Sequence, residues 1–183
     1  MSEKNEAIIH SVRNWVERFV VDLNLCPFAK RELVKDRVRF VVSEATDQIA
    51  LLADLQLELQ RLDSDSGIET TLLIHPRILT DFYDYNDFLD EADTLLEHLD
   101  YDGKFQVASF HPDYQFGGTE PEDAENYTNR APYPVLHLLR EASLEHAIES
   151  YPDTDKIPER NIALMNEMGA EKLKSLLATC LVK

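Results

Sequence analysis

Apolar residues at Ile8, Val12, Trp15, Val16, Phe19 and Leu23 recur at three- and four-residue steps, which predicts an amphipathic helix over about residues 4–24 with that stripe turned inward. Pro27 closes this helix or starts a new one. RVRFVV at Arg37–Val42 has the β-branched, apolar character of a strand. After it, Thr46 is placed to cap a helix that turns Ile49, Leu52, Leu59 and Leu62 inward, and SDSG ends that helix near Gly67. IETTLLI at Ile68–Ile74 predicts a second strand. The periodic run from Phe82 to Leu99 predicts a third helix, and KFQVASF at Lys104–Phe110 a third strand.

Phe110–Pro134, FHPDYQFGGTEPEDAENYTNRAPYP, fits neither period, and two or three helices are expected from about Tyr133 to Cys180. Strands separated by helices long enough to cross over predict an α/β fold: a small, mostly parallel, three-stranded sheet layered with helices, with additional helices at the C-terminal end. A ferredoxin-like arrangement is disfavoured because the pattern contains no hairpin. With 183 residues the chain suits a single domain spanning 1–183.

Two predicted strands end alike, LLIHP at Leu72–Pro76 and ASFHP at Ala108–Pro112. If they are parallel, His75 and His111 emerge together at the carboxyl edge of the sheet, where open α/β folds place their ligands. The irregular stretch starts at the same edge, and ordered loops of that length are usually binding or catalytic loops. Gly117 and Gly118 allow a positive-φ turn or a close backbone approach to a ligand.

Three chemistries are open there. His75 and His111 with Asp113 make a two-histidine, one-carboxylate set that would suit a divalent metal such as Zn²⁺, Fe²⁺ or Mn²⁺. Against it stands a plainer role, in which a histidine before proline caps its strand end through a ring-to-backbone hydrogen bond. Without metal, His111 and Asp113 are candidate acid/base groups and Arg130 a clamp for an anionic substrate. Arg130 could equally pin the loop by an internal salt bridge. Cys26 is a candidate nucleophile if Pro27 opens a short helix capped at Cys26, and a buried structural thiol otherwise.

Charge narrows the partners. Thirty-five acids against eighteen bases give a net charge of −17, which argues against nucleic acid or an anionic membrane as partner. Two cysteines far apart give no disulfide framework, and the sequence has neither a signal-peptide pattern nor an apolar run of membrane-spanning length, so a cytoplasmic location is expected. The expected partner is a small molecule. The other reading is a non-catalytic interaction module whose acidic surface docks a basic protein; it requires exposed loop acids, with His75, His111 and Arg130 merely tying the loop down.

NLCPFA at Asn24–Ala29, HPDYQFGG at His111–Gly118 and NYTNRAPYPVLHLLRE at Asn126–Glu141 together resemble the bacterial domain-of-unknown-function family 1415, over essentially the whole chain. The resemblance carries no reaction. It implies that Cys26, His111, Tyr114, Asn126, Asn129 and Arg130 belong to motifs, with Tyr114, Asn126, Asn129 and Arg130 as candidate substrate contacts. If the CPFA turn packs beside the long loop, these groups would share one pocket.

Overall fold

The computed structural model describes residues 2–151 and 153–182. Helix α1 (Glu3–Trp15) starts where the Ser2 hydroxyl accepts the Asn5 N–H at 3.2 Å, and it continues into a wider π-helical segment, Val16–Val21. Ile8, Val12, Trp15, Val16 and Phe19 are buried, as their spacing predicts. Asn24, in the left-handed region at φ 53°, ends the segment. Helix α2 (Ala29–Val34) then begins at Ala29, with Phe28 rather than Cys26 in the capping position, and it buries no residue.

Strand β1 (Val38–Val42) leads to α3 (Gln48–Ser64), which is capped by Asp47, not Thr46: its carboxylate accepts the Ala50 N–H at 2.9 Å. Of the residues expected to face inward, Leu59 and Leu62 are buried and Leu52 is partly buried against the core, whereas Ile49 in the first turn is not. Leu51, Leu55, Leu59 and Leu62 face the core, while Ile49 is 82% exposed. Strand β2 (Thr70–Ile74), α4 (Phe82–His98) and β3 (Phe105–Phe110) follow as expected.

The sheet departs from the prediction. PVLHLLR does not continue as a helix from Tyr133; Val135–Arg140 is a fourth strand, β4, inserted between β2 and β3. The order among the described residues is β1-β2-β4-β3, with β1 parallel to β2 and β4 antiparallel to both of its neighbours. The sheet is therefore mixed and four-stranded. A central strand covered on both faces reads as a continuous apolar run, and such a run lacks the alternation that separates strand from helix. Val135, Leu136 and Leu138 are fully buried, and the ladder to two partners decides the conformation that periodicity leaves open.

Helices α5 (Glu141–Ser150), α6 (Ile157–Met168) and α7 (Ala170–Cys180) complete the chain. One face of the sheet packs Leu72, Ile74 and Val135 against Trp15, Phe19, Met165 and Leu173. The opposite face packs Leu73, Leu136 and Leu138 against Leu51, Leu55, Tyr85 and Phe88 of α3 and α4. Each such side chain contributes about 1.5–3 kcal/mol on burial. No helix among the described residues is long and apolar enough to cross a membrane.

Candidate functional site

Because β2 and β3 both run antiparallel to β4, they point the same way, and their carboxyl ends carry His75 and His111 to one edge. Both histidines are fully buried. Tyr85 of α4 lies between them, stacked on His75 at 5.7 Å and 5.1 Å from the His111 ring. Its hydroxyl donates to the Val135 carbonyl at 2.7 Å and accepts the Phe110 N–H at 3.1 Å. Burial pushes the Tyr85 pKa up.

The two imidazoles hold the turn that connects β2 to α4. His75 Nδ1 donates to the Ile78 carbonyl and His111 Nε2 to the Leu79 carbonyl, both at 3.1 Å. A carbonyl can only accept, so these contacts fix the tautomers. His111 Nδ1 is then the acceptor for the Asp113 N–H at 3.0 Å. Leu79 sits in the left-handed region at φ 54°, a conformation costly for a branched side chain and held only where its surroundings over-determine it. The plainer role for a histidine before proline, a ring-to-backbone hydrogen bond at a strand end, is what both side chains perform.

Burial lowers the His75 pKa to about 4, opposed by its bond to Ile78 and assisted by the nearby His111. Burial also lowers that of His111, against the Leu79 bond and the Asp113 and Asp81 charges. Both rings are neutral at pH 7.

His75, His111 and Asp113 as placed do not fit a metal ion. Both His111 nitrogens are engaged, the Asp113 carboxylate is exposed while its N–H binds the ring, and His75 Nε2 is buried without a partner among the described residues. Among the described residues no three His, Cys, Asp or Glu side chains converge as ligands.

The long loop uses its polar side chains on itself. Asn126, buried in a 3₁₀ turn at Ala124–Thr128, accepts the Phe116 N–H at 3.0 Å and the Thr119 hydroxyl at 2.8 Å, and it donates to the Glu120 carbonyl at 2.8 Å. Asn129 donates to the Ser109 carbonyl at 3.1 Å. Arg130 donates to the Tyr114 and Pro121 carbonyls at 3.1 and 2.7 Å and lies over the Tyr127 ring. It pins the loop, through carbonyls rather than a carboxylate. The Tyr114 ring packs between Phe82 and Phe116.

Cys26 forms no hydrogen bond with His111 among the described residues. Its turn anchors through Leu25 on the α1 face of the sheet, where Asn161 of α6 donates to the Leu25 carbonyl at 2.9 Å. His111 lies against Tyr85 on the α4 face. The thiol is half-buried and the helix after it has only six residues.

A cleft of about 530 Å³ opens beside the His75 turn, lined by Pro76 and Arg77, by Glu3, Lys4, Ala7 and Ile8 at the start of α1, and by Tyr133 and Val182. Arg77 pairs with Glu44 at 2.8 Å, and Asn5 donates to the same carboxylate at 2.6 Å; these two bonds hold Glu44 below the usual carboxylate range. Sequence reasoning passed over Lys4, Arg77 and Tyr133. The signal was present in two places, since Arg77 follows the first His-Pro and Tyr133 lies between the prolines of PYP.

A family model spans residues 7–175. The chain belongs to the family described as Protein of unknown function (DUF1415). The match runs from α1 into α7 and takes in the CPFA turn, the histidine-held turn, the long loop and β4. No curated protein and no solved structure matches the chain.

Proposed function

We propose that the protein binds a small amphipathic anion in the cleft at the carboxyl edge of its sheet. The observation that carries this reading is the placement of Lys4 and Arg77, against a single lining acid, Glu3, on a cleft whose remaining walls are largely apolar: Ala7, Ile8, Pro76, Tyr133 and Val182. Two cations provide for a carboxylate head and the apolar walls for a hydrocarbon or aromatic body, the usual division of labour in ligand clefts. A ligand carboxylate would compete with Glu44 for the Arg77 guanidinium.

The test is a thermal-shift and calorimetric screen with short aliphatic and aromatic carboxylates beside their uncharged amides. Saturable binding of acids, not amides, that is lost in Arg77→Ala and Lys4→Ala supports the reading. Acids that bind equally well to both variants, or fail to bind the unsubstituted protein at millimolar concentration, reject it.

A second reading is supported by the loop. Asp113, Glu120, Glu122 and Asp123 are exposed, while His75, His111 and Arg130 are committed to backbone carbonyls. That is the arrangement of an ordered acidic face that docks a basic protein surface. A lysine-rich peptide that shifts the loop amides in an NMR titration, with the effect abolished by Glu120→Gln/Glu122→Gln, would establish it; shifts unchanged in that variant would count against it.

A further inference from the structure

The helix α2 is anomalous in this chain. Five of the eighteen bases fall within residues 30–39, in a protein of net charge −17. Arg37 is paired with Glu32 and Glu69, and Arg39 with Glu58. Lys30 and Lys35 are exposed and have no carboxylate partner among the described residues, and Arg31 reaches only its neighbour Glu32 with its side chain 67% exposed. Between these cations Val34 is 78% exposed, and no residue of α2 is buried. Nothing in the packing of the helix requires this combination of free cations around an exposed apolar side chain.

The chain also carries the complement. Glu120, Glu122 and Asp123 project from a loop held in one conformation by Asn126 and Arg130, and the carboxylates of Glu120 and Glu122 form no ion pair among the described residues. Two preorganised surfaces of opposite sign lose little side-chain and loop freedom on meeting. The long-range repulsion between two acidic copies is screened beyond roughly 8 Å at physiological salt, whereas groups in contact still feel one another.

We propose that α2 of one copy docks on the Glu120–Asp123 segment of a second copy, in a head-to-tail contact. This rests on the acidic-loop reading above and names its partner. Exposed Val34 favours a protein surface over a phosphate backbone, since an apolar side chain at the centre of the patch finds apolar atoms only on the former. Because the two patches differ, the contact is heterologous and leaves one free patch of each kind at the ends of every assembly. The association is weak, as exposed ion pairs dictate.

Sedimentation velocity over a concentration series at physiological salt tests this with two variants, Lys30→Gln/Lys35→Gln and Glu120→Gln/Glu122→Gln. All four side chains are exposed and outside any ion pair among the described residues, so neither variant threatens the fold. The weight-average sedimentation coefficient of the unsubstituted protein should rise with concentration. Each variant alone should stay monomeric, and an equimolar mixture should form a dimer and nothing larger, because one good patch remains on each. A monomeric unsubstituted protein at all concentrations overturns the proposal, as does self-association that survives in either variant. If copies fail to associate while the lysine-rich peptide still binds the loop, the self-partner is rejected and the acidic-loop reading stands.

Discussion

His75 and His111 end two different strands and donate to consecutive carbonyls, those of Ile78 and Leu79, in one turn. Through that turn the deepest polar groups of the sheet edge reach Pro76 and Arg77 at the cleft surface. Their neutral tautomers follow from the carbonyl acceptors, and Tyr85 fills the space between the rings.

Truncating either ring should therefore cost more than its volume suggests. His111→Ala leaves the Leu79 carbonyl and the Asp113 N–H unpaired as well as opening a void, and should destabilise by about 3 kcal/mol. Urea unfolding measures this. A loss below about 1 kcal/mol would show that water or local relaxation replaces the ring.

Acid should weaken the fold through His75. Its folded-state pKa lies near 4, below the 6.5 of an unperturbed histidine, so its contribution is fully present above pH 6.5 and is lost as the pH falls toward 4, where the unfolded chain binds the extra proton. Over that window the slope approaches about 1.4 kcal/mol per pH unit. His137, bonded to the Thr70 hydroxyl, is shifted in the same direction. Urea midpoints at pH 7, 5.5 and 4.5 should fall less steeply in His75→Phe, which keeps a ring against Tyr85; equal slopes would remove His75 from the account.

Arg130→Ala should loosen the long loop without melting the core. Two charge-assisted bonds to carbonyls and the contact with Tyr127 disappear, a loss of about 2 kcal/mol. Amide exchange across Tyr114–Pro121 should rise while that of β2 and β4 stays protected. Uniform acceleration would mean that the loop is part of the global unfolding unit.

The two thiols should separate by access. Cys26 is half-buried, whereas Cys180 is fully buried, with its pKa raised by burial. An aromatic disulfide reagent should modify one thiol per chain in the folded protein and two in denaturant. The fast thiol should vanish in Cys26→Ser, and a fast phase that persists there would place the reactive group at Cys180.

Much of this architecture is local in origin and so legible in the chain. The α1 stripe, the runs that become β1, β2 and β3, and the two His-Pro strand ends follow from periodicity and from proline's missing N–H. The α3 cap lies one residue beyond the expected Thr46, because Thr46 and Asp47 are both good caps and only the observed bond separates them. Chemistry was harder to read than fold. Asn126, Asn129 and Arg130 have the polar groups of a ligand site, yet they spend them on their own loop, and the sequence does not say where a side chain's hydrogen bonds go.

The sequence by itself determined the inward stripe of α1, three of the strands, the acidic balance and the convergence of His75 and His111, since each depends on near neighbours or on strand direction. Tertiary structure alone decided that Val135–Arg140 is a central strand, that His75 and His111 spend their rings on one turn, and that Lys4 and Arg77 meet at one cleft. Those outcomes depend on contacts between residues far apart in the chain, and a run buried on both sides carries no period that foretells its partners.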